Sequence, residues 1–226
     1  MSIAEKLTTV AENMPKVYEA GQQSEYDRFW DIYQDNGKRD GYRYGFAGNG
    51  WTEEIFKPKY DLKPYDANGM FRGSYIVNLK ERLETCGVVL DLSECVSFSD
   101  GFNSCPKLKV LPKLDGSAMP GTTNMCYNCT ELETIEELKC AEKTGFNNTF
   151  YKCSKLTNMI VTGVIGQNGL DLHWSTKLTH DSLMSIINAL QTKTSGTWTV
   201  TLGSENLAKL TDAEKAIATQ KGWSLV

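Results

Sequence analysis

The chain has 226 residues, a formal net charge of -4 and 40% apolar residues. That balance excludes a disordered chain and fits one extended domain or a small domain with appendages. No long basic run occurs, which argues against nucleic acid as a partner, and no run of about 18 apolar residues occurs, so no membrane span is predicted.

Residues 1–22 carry a heptad seam. Ile3, Leu7, Val10, Met14 and Val17 alternate at spacings of four and three, with Leu7 and Met14 at a and Ile3, Val10 and Val17 at d. β-branched residues at d shift parallel coiled coils toward three or four strands. One expectation is therefore an N-terminal helix that makes a homo-oligomer, a trimer before other numbers. The other is an amphipathic helix lying on its own protein. Acidic residues break this segment early, so it does not read as a signal peptide, and synthesis in the cytoplasm is expected. Seven cysteines are then mostly reduced thiols, and an odd number suits a complete disulfide framework poorly.

Residues 23–68 read as a helix followed by a loop-rich linker. Tyr26, Phe29, Trp30 and Tyr33 form the apolar side of the helix, and Trp51 and Phe56 serve as anchors in the glycine-rich stretch.

Residues 69–172 repeat. Cys105, Cys129 and Cys153 are 24 residues apart, as are Leu108, Leu132 and Leu156, and Leu111, Ile135 and Met159. Phe102, Cys126 and Phe150 precede the cysteines by three residues, and Leu90, Leu114 and Leu138 keep the same interval upstream. Met70, Phe71, Ser74, Ile76 and Leu79 look like a degenerate first unit, and GVVLDL, residues 87–92, like a buried strand. Apolar positions at a fixed period predict stacked units, because no unit buries its apolar face alone. The expectation is an α/β repeat built as a solenoid, with thiols and leucines laddered inside.

Residues 173–226 read as an α/β C-terminal cap. Leu178 to Leu190 is predicted helical with Thr179 or Asp181 as its cap. TWTVTL, residues 197–202, alternates like a strand. Leu210 to Lys221 is a second helix with Thr211 and Glu214 as a capping box, Gly222 stops it, and WSLV forms a last strand.

Catalytic chemistry finds little support. Cys126 and Cys129 form a C-x-x-C, but a zinc site needs four ligands, no second such pair occurs, and His173 and His180 are the only histidines. Those histidines lack a serine on a strained elbow and read as decoration of a helix start. Glu131, Glu133, Glu136 and Glu137 read as a solvated face. No metal, cofactor or catalytic site is expected, and the chain is not read as an enzyme. Tyr127 and Tyr151 share one phase of the repeat. They are the candidate surface for a protein or glycan partner, against the plainer reading that they cover the edge of the units.

The units FNSCPKLKVL and FYKCSKLTNM follow F-x-x-C-x-x-L and resemble BspA-type leucine-rich repeat proteins. With EYDRFWDIYQ, the stretch from GVIGQNG to IINAL and the tail TWTVTLGSENLAKLTDAEKAIATQKGW, most of the chain from about residue 23 resembles prophage-encoded hypothetical proteins of gut Firmicutes. Cys126 departs from the pattern, since an aromatic is usual there. The resemblance implies a leucine-rich-repeat-like solenoid and a structural or recognition component of a phage or prophage particle. Its partners would be other virion subunits or a cell-surface glycan, and its location the virion. The alternative is a bacterial cell-surface or secreted adhesion protein.

Overall fold

A computed structural model describes residues 13–19, 21 and 45–226. Strands β1 (Val110–Asp115), β2 (Thr134–Cys140) and β3 (Asn158–Gly163) form a parallel sheet in the order β1-β2-β3. The 24-residue interval is their pairing register: Leu111 faces Ile135, Leu114 faces Leu138, and Ile135 faces Met159. Between Ile135 and Leu138 the register slips, so that Leu138 pairs with Val161 and every later contact arrives one residue early. Such a bulge re-aims all that follows it.

The expected α/β leucine-rich-repeat solenoid is not the fold observed. Regular β-structure in the repeat segment amounts to three strands in one small parallel sheet, and helices are few. The connections between β1 and β2 and between β2 and β3 are turns without a helix, so strand and helix do not alternate. The physical reason lies in the backbone. Asn124 and Asn128 in the first connection have φ of 53° and 59°, and Asn148 and Lys152 in the second have 53° and 60°. A left-handed residue ends a right-handed helix, and here two occur four residues apart in each connection. GVVLDL is likewise no strand: it contributes one bridge, Leu62 to Leu90, and leaves Val89 exposed.

Within residues 69–172 the structure has one helix, α1 (Leu79–Cys86). Asn78 caps it by accepting from the Glu81 amide at 3.0 Å, and Gly87 closes it at φ 68°. The helix lengthens the first interval to 31 residues, yet Phe71 still stacks on Phe102 with centroids 5.3 Å apart and planes 14° apart. Upstream, Phe46, Trp51 and Phe56 close around Phe71 in edge and stacked contacts. In the helical stretch 13–19, Met14 is buried and Val17 packs against the core of the same chain. The other seam residues, Ile3, Leu7 and Val10, lie outside the described residues, as does the predicted helix of residues 23–34.

Each edge of the sheet is covered. Helix α1 packs against β1, and helix α2 (His180–Ala189), capped by Thr179, packs against β3. A bare edge strand offers unpaired amides, and α2 satisfies them with hydroxyls. Ser182 Oγ accepts from the Met159 amide at 3.0 Å, and Ser185 Oγ accepts from the Val161 amide at 3.0 Å. Serine hydroxyls on successive turns of one helix thus replace the next strand.

The chain ends in a second, two-stranded parallel sheet, β4 (Trp198–Val200) on β5 (Trp223–Leu225), with helices α3 (Ser204–Leu207) and α4 (Asp212–Gln220) between them. Thr211 and Glu214 form the capping box of α4. Lys221 Nζ donates to the Ile187 and Asn188 carbonyls at 3.1 and 2.6 Å, at the negative end of α2.

On the outer side of the β1-β2-β3 sheet, opposite charges meet at the same interval. Lys109 faces Glu133 at 3.9 Å, Lys113 faces Glu137 at 3.4 Å, and Asp115 meets Lys139 at 2.9 Å. Glu131 and Lys155 pair at 2.7 Å beside them. The carboxylates predicted to be merely solvated therefore include three that hold a lysine of a neighbouring unit. Partial burial raises the Asp115 carboxyl, but hydrogen bonds from Ser117 and Lys139 outweigh it and hold it below its ordinary value.

Replacing Ser182 or Ser185 by alanine leaves an amide of β3 without its acceptor. Each change should cost about 1–3 kcal/mol, read as a lower urea midpoint at unchanged slope. Asp115→Asn tests the ion pairs. A carboxyl with a depressed folded pKa stabilises above its ordinary value of 3.8 and loses that effect as pH falls through the depressed one. The melting temperatures of wild type and Asp115→Asn should therefore differ near neutrality and converge below pH about 4.

Candidate recognition surface

The cysteine column is structural. Cys105 Sγ donates to the Phe71 carbonyl at 3.0 Å, Cys129 to Phe102 at 2.9 Å and Cys153 to Cys126 at 3.0 Å. Each thiol thus reaches back to the phenylalanine column of the preceding unit and satisfies a buried carbonyl. Serine takes the column at both ends: Ser74 Oγ lies 3.7 Å from Cys105 Sγ, and Ser175 Oγ donates to the Cys153 carbonyl at 3.1 Å. Burial pushes every one of these thiols up, Cys153 and Cys140 to about 12, Cys95 to about 11, and Cys105 and Cys129 well above the ordinary value. A thiol held protonated and enclosed is a poor nucleophile and a poor metal ligand. Cys126 and Cys129, the C-x-x-C, are both fully buried. Among the described residues no group of three histidine, cysteine or acidic side chains could hold a metal ion.

The outward side of the same turns is different. The two left-handed positions of each connection form columns, Asp100, Asn124 and Asn148 in one, Ser104, Asn128 and Lys152 in the other. Between the columns the backbone steps from unit to unit. The Asp100 amide donates to Thr123, Phe102 to Met125 and Ser104 to Tyr127; one unit on, Asn124 donates to Asn147, Cys126 to Thr149 and Asn128 to Tyr151. Locked this way, the residue between the left-handed pair that does not face inward must face out.

That residue is Tyr127 in one unit and Tyr151 in the next. Their rings stack with centroids 4.8 Å apart and planes 16° apart. Trp174 extends the row, its ring 5.5 Å from Tyr151 at 70°. His173 stands 5.0 Å from Trp174, and its Nδ1 is 2.6 Å from Asp171 Oδ1. Lys152 Nζ lies over the Tyr151 ring at 5.4 Å. Both tyrosines are half-buried, while Trp174 keeps 38% of its surface exposed. The result is an aromatic ridge across three successive levels of the chain, the first two of which are joined by the backbone ladder.

Of the residues marked out by sequence for partner binding, Tyr127 and Tyr151 are brought together. Trp174 escaped notice because the 24-residue interval is lost after β3: Trp174 follows Tyr151 by 23 residues, and Ser175 follows Cys153 by 22. His180 belongs elsewhere: its Nε2 meets Glu214 Oε1 at 2.8 Å, joining α2 to α4.

No protein-family model, curated protein or solved structure matches the chain.

In the native protein at pH 8, a disulfide-exchange reagent should find one fast thiol, Cys86, the only cysteine that is not buried. The other six should react only on unfolding. Cys86→Ser should remove the fast phase, and a second fast thiol in that variant would show that the column opens in solution.

Proposed function

We propose that the chain is a non-enzymatic recognition component that binds carbohydrate through the ridge of Tyr127, Tyr151 and Trp174. The observation that carries this reading is the row of outward aromatic rings on a backbone that fixes their spacing. Aromatic side chains pair a large apolar face with a polar tip and lose little freedom on binding, because two torsions define them and, for the tyrosines, the ladder fixes the backbone. A sugar ring presents an apolar face of C–H groups and an edge of hydroxyls. The exposed indole of Trp174 suits the face, and the tyrosine hydroxyls and the Asp171–His173 pair beside it suit the edge. The thiols support the non-enzymatic part of the reading, since they are committed to backbone carbonyls.

The resemblance to prophage-encoded proteins supports a particle as the carrier of this surface, with a bacterial cell surface as the second location. Mass spectra of purified particles and of intact cells separate the two.

The ridge is tested by glycan arrays with the full chain. Trp174→Ala should weaken retention of the bound glycans by about 2 kcal/mol, roughly 30-fold, with the circular dichroism spectrum unchanged. Equal retention by the variant would remove the ridge from recognition, and failure to retain any glycan would turn the reading toward a protein partner.

A further inference from the structure

Beside the ridge the backbone ladder stops, and a groove of about 550 Å³ opens. The ladder passes amide to carbonyl as far as the level of Asn147, Thr149 and Tyr151. The next level, residues 168–172, bonds instead to the strand beyond it. Leu172 donates to the Thr201 carbonyl at 2.7 Å, Thr201 donates to Leu170 at 3.0 Å, and Asn168 holds the backbone of Thr197 and Thr199 through its amide. Drawn toward β4, this level leaves a gap against residues 145–148, and the gap is the groove.

Among the described residues the lining is mostly polar and carries one charge. Asn147 and Asn148 are exposed, and their side chains make no hydrogen bond among the described residues. Thr123 and Thr201 add hydroxyls, and Asp171 adds a carboxylate on the side where His173 and Trp174 begin the ridge. Among the described residues no lysine or arginine lines the groove. Amides and hydroxyls that both donate and accept suit vicinal hydroxyl groups, and a lone carboxylate disfavours an anionic ligand.

The floor is bare where the fold does not require it. Gly121 and Gly145, one repeat apart and paired by a parallel bridge, line the groove. Neither has a left-handed φ. A Cβ built on them would meet its nearest neighbours at 3.8 and 3.7 Å, ordinary contact distances. By contrast a Cβ at Gly163 or Gly222 would strike a carbonyl oxygen at 2.1 or 2.6 Å. Packing explains those two glycines and leaves the groove pair open to another cause, room for a bound chain.

We propose that this groove is the subsite for the hydroxyl edge of a neutral oligosaccharide whose ring face rests on Trp174. The inference rests on the carbohydrate reading of the ridge and adds the ligand class, uncharged and longer than one sugar. Its test uses the full chain, an array of neutral and acidic glycans, and three variants. Asn147→Ala with Asn148→Gly removes both amides and keeps the left-handed backbone at 148. Gly145→Ala puts a methyl group on the floor. Trp174→Ala removes the ridge platform.

Both groove variants should keep the wild-type melting temperature. They should bind neutral oligosaccharides at least about tenfold more weakly, with little change for single sugars, while Trp174→Ala weakens both. Wild-type affinity in both groove variants with loss in Trp174→Ala would overturn the groove and leave the ridge standing. A preference of the wild type for acidic glycans would overturn the ligand class. No glycan retained by the wild type would overturn the ridge and the groove together.

Discussion

Parallel backbone pairing at a constant interval fixes where almost every side chain of residues 99–163 can go. Once the Asp100 amide is bound to Thr123 and the Asn124 amide to Asn147, a residue at a given phase of one unit lies against the same phase of the next. Strand spacing then sets ring spacing. Two half-buried tyrosines one unit apart have centroids 4.8 Å apart, within the strand separation of any sheet. The same constraint stacks phenylalanines and thiols on the inner side and opposed charges on the outer one. None of these contacts needs to be strong by itself. Exposed ion pairs such as Lys113–Glu137 contribute little to stability, but a register that brought lysine against lysine would be penalised, so they help to select one pairing over its slipped alternatives.

The column positions also show why each residue type is where it is. A buried carbonyl beside the phenylalanine column needs a donor, and the space beside it is small. A thiol fits, being compact, polarizable and able to donate weakly. At the ends of the column serine hydroxyls meet the cysteines themselves, Ser74 at the Cys105 thiol and Ser175 at the Cys153 carbonyl. The left-handed positions are asparagine, aspartate, serine and lysine, and asparagine and aspartate tolerate that backbone better than other side chains. In the preceding unit the corresponding places are Gly69 and Gly73, at φ 63° and 70°, the residue type that pays least for it.

Much of this pairing was legible in the sequence, and its consequences for the connections were not. Three cysteines and three leucines at one interval gave the register directly, because burial forces recurrence. Thr211 with Glu214, and Thr179 ahead of an amphipathic run, announced their helices through local hydrogen bonding that needs no tertiary context. The expected α/β repeat was not found because the deciding signal, pairs of left-handed residues four apart, is carried by asparagine, aspartate, serine and lysine, which look like ordinary turn residues. Trp174 hid because the 24-residue interval is lost after β3, where Ser175 follows Cys153 by 22 residues. The heptad seam ending in Met14 and Val17 has apolar periodicity, but periodicity does not say whose core it faces, and these two residues face their own. The groove left no trace in the sequence, since it arises where residues 168–172 exchange one backbone partner for another.

The two outward faces of the repeat segment differ in what they offer a partner. On the sheet side, lysines and carboxylates satisfy one another across neighbouring strands, and a ligand there would have to displace an internal ion pair to gain its own. On the turn side, the side-chain amides of Asn147 and Asn148 make no hydrogen bond among the described residues, Thr123 and Thr201 line the groove, and the aromatic rings lie outside the core. Unsatisfied and partly apolar groups suit a binding site, because a ligand need not displace an internal hydrogen bond to meet them. The same argument explains the position of the site along the chain. The ladder sets the two tyrosines one strand spacing apart, the groove opens where the ladder ends, and residues 145–174 contain both places.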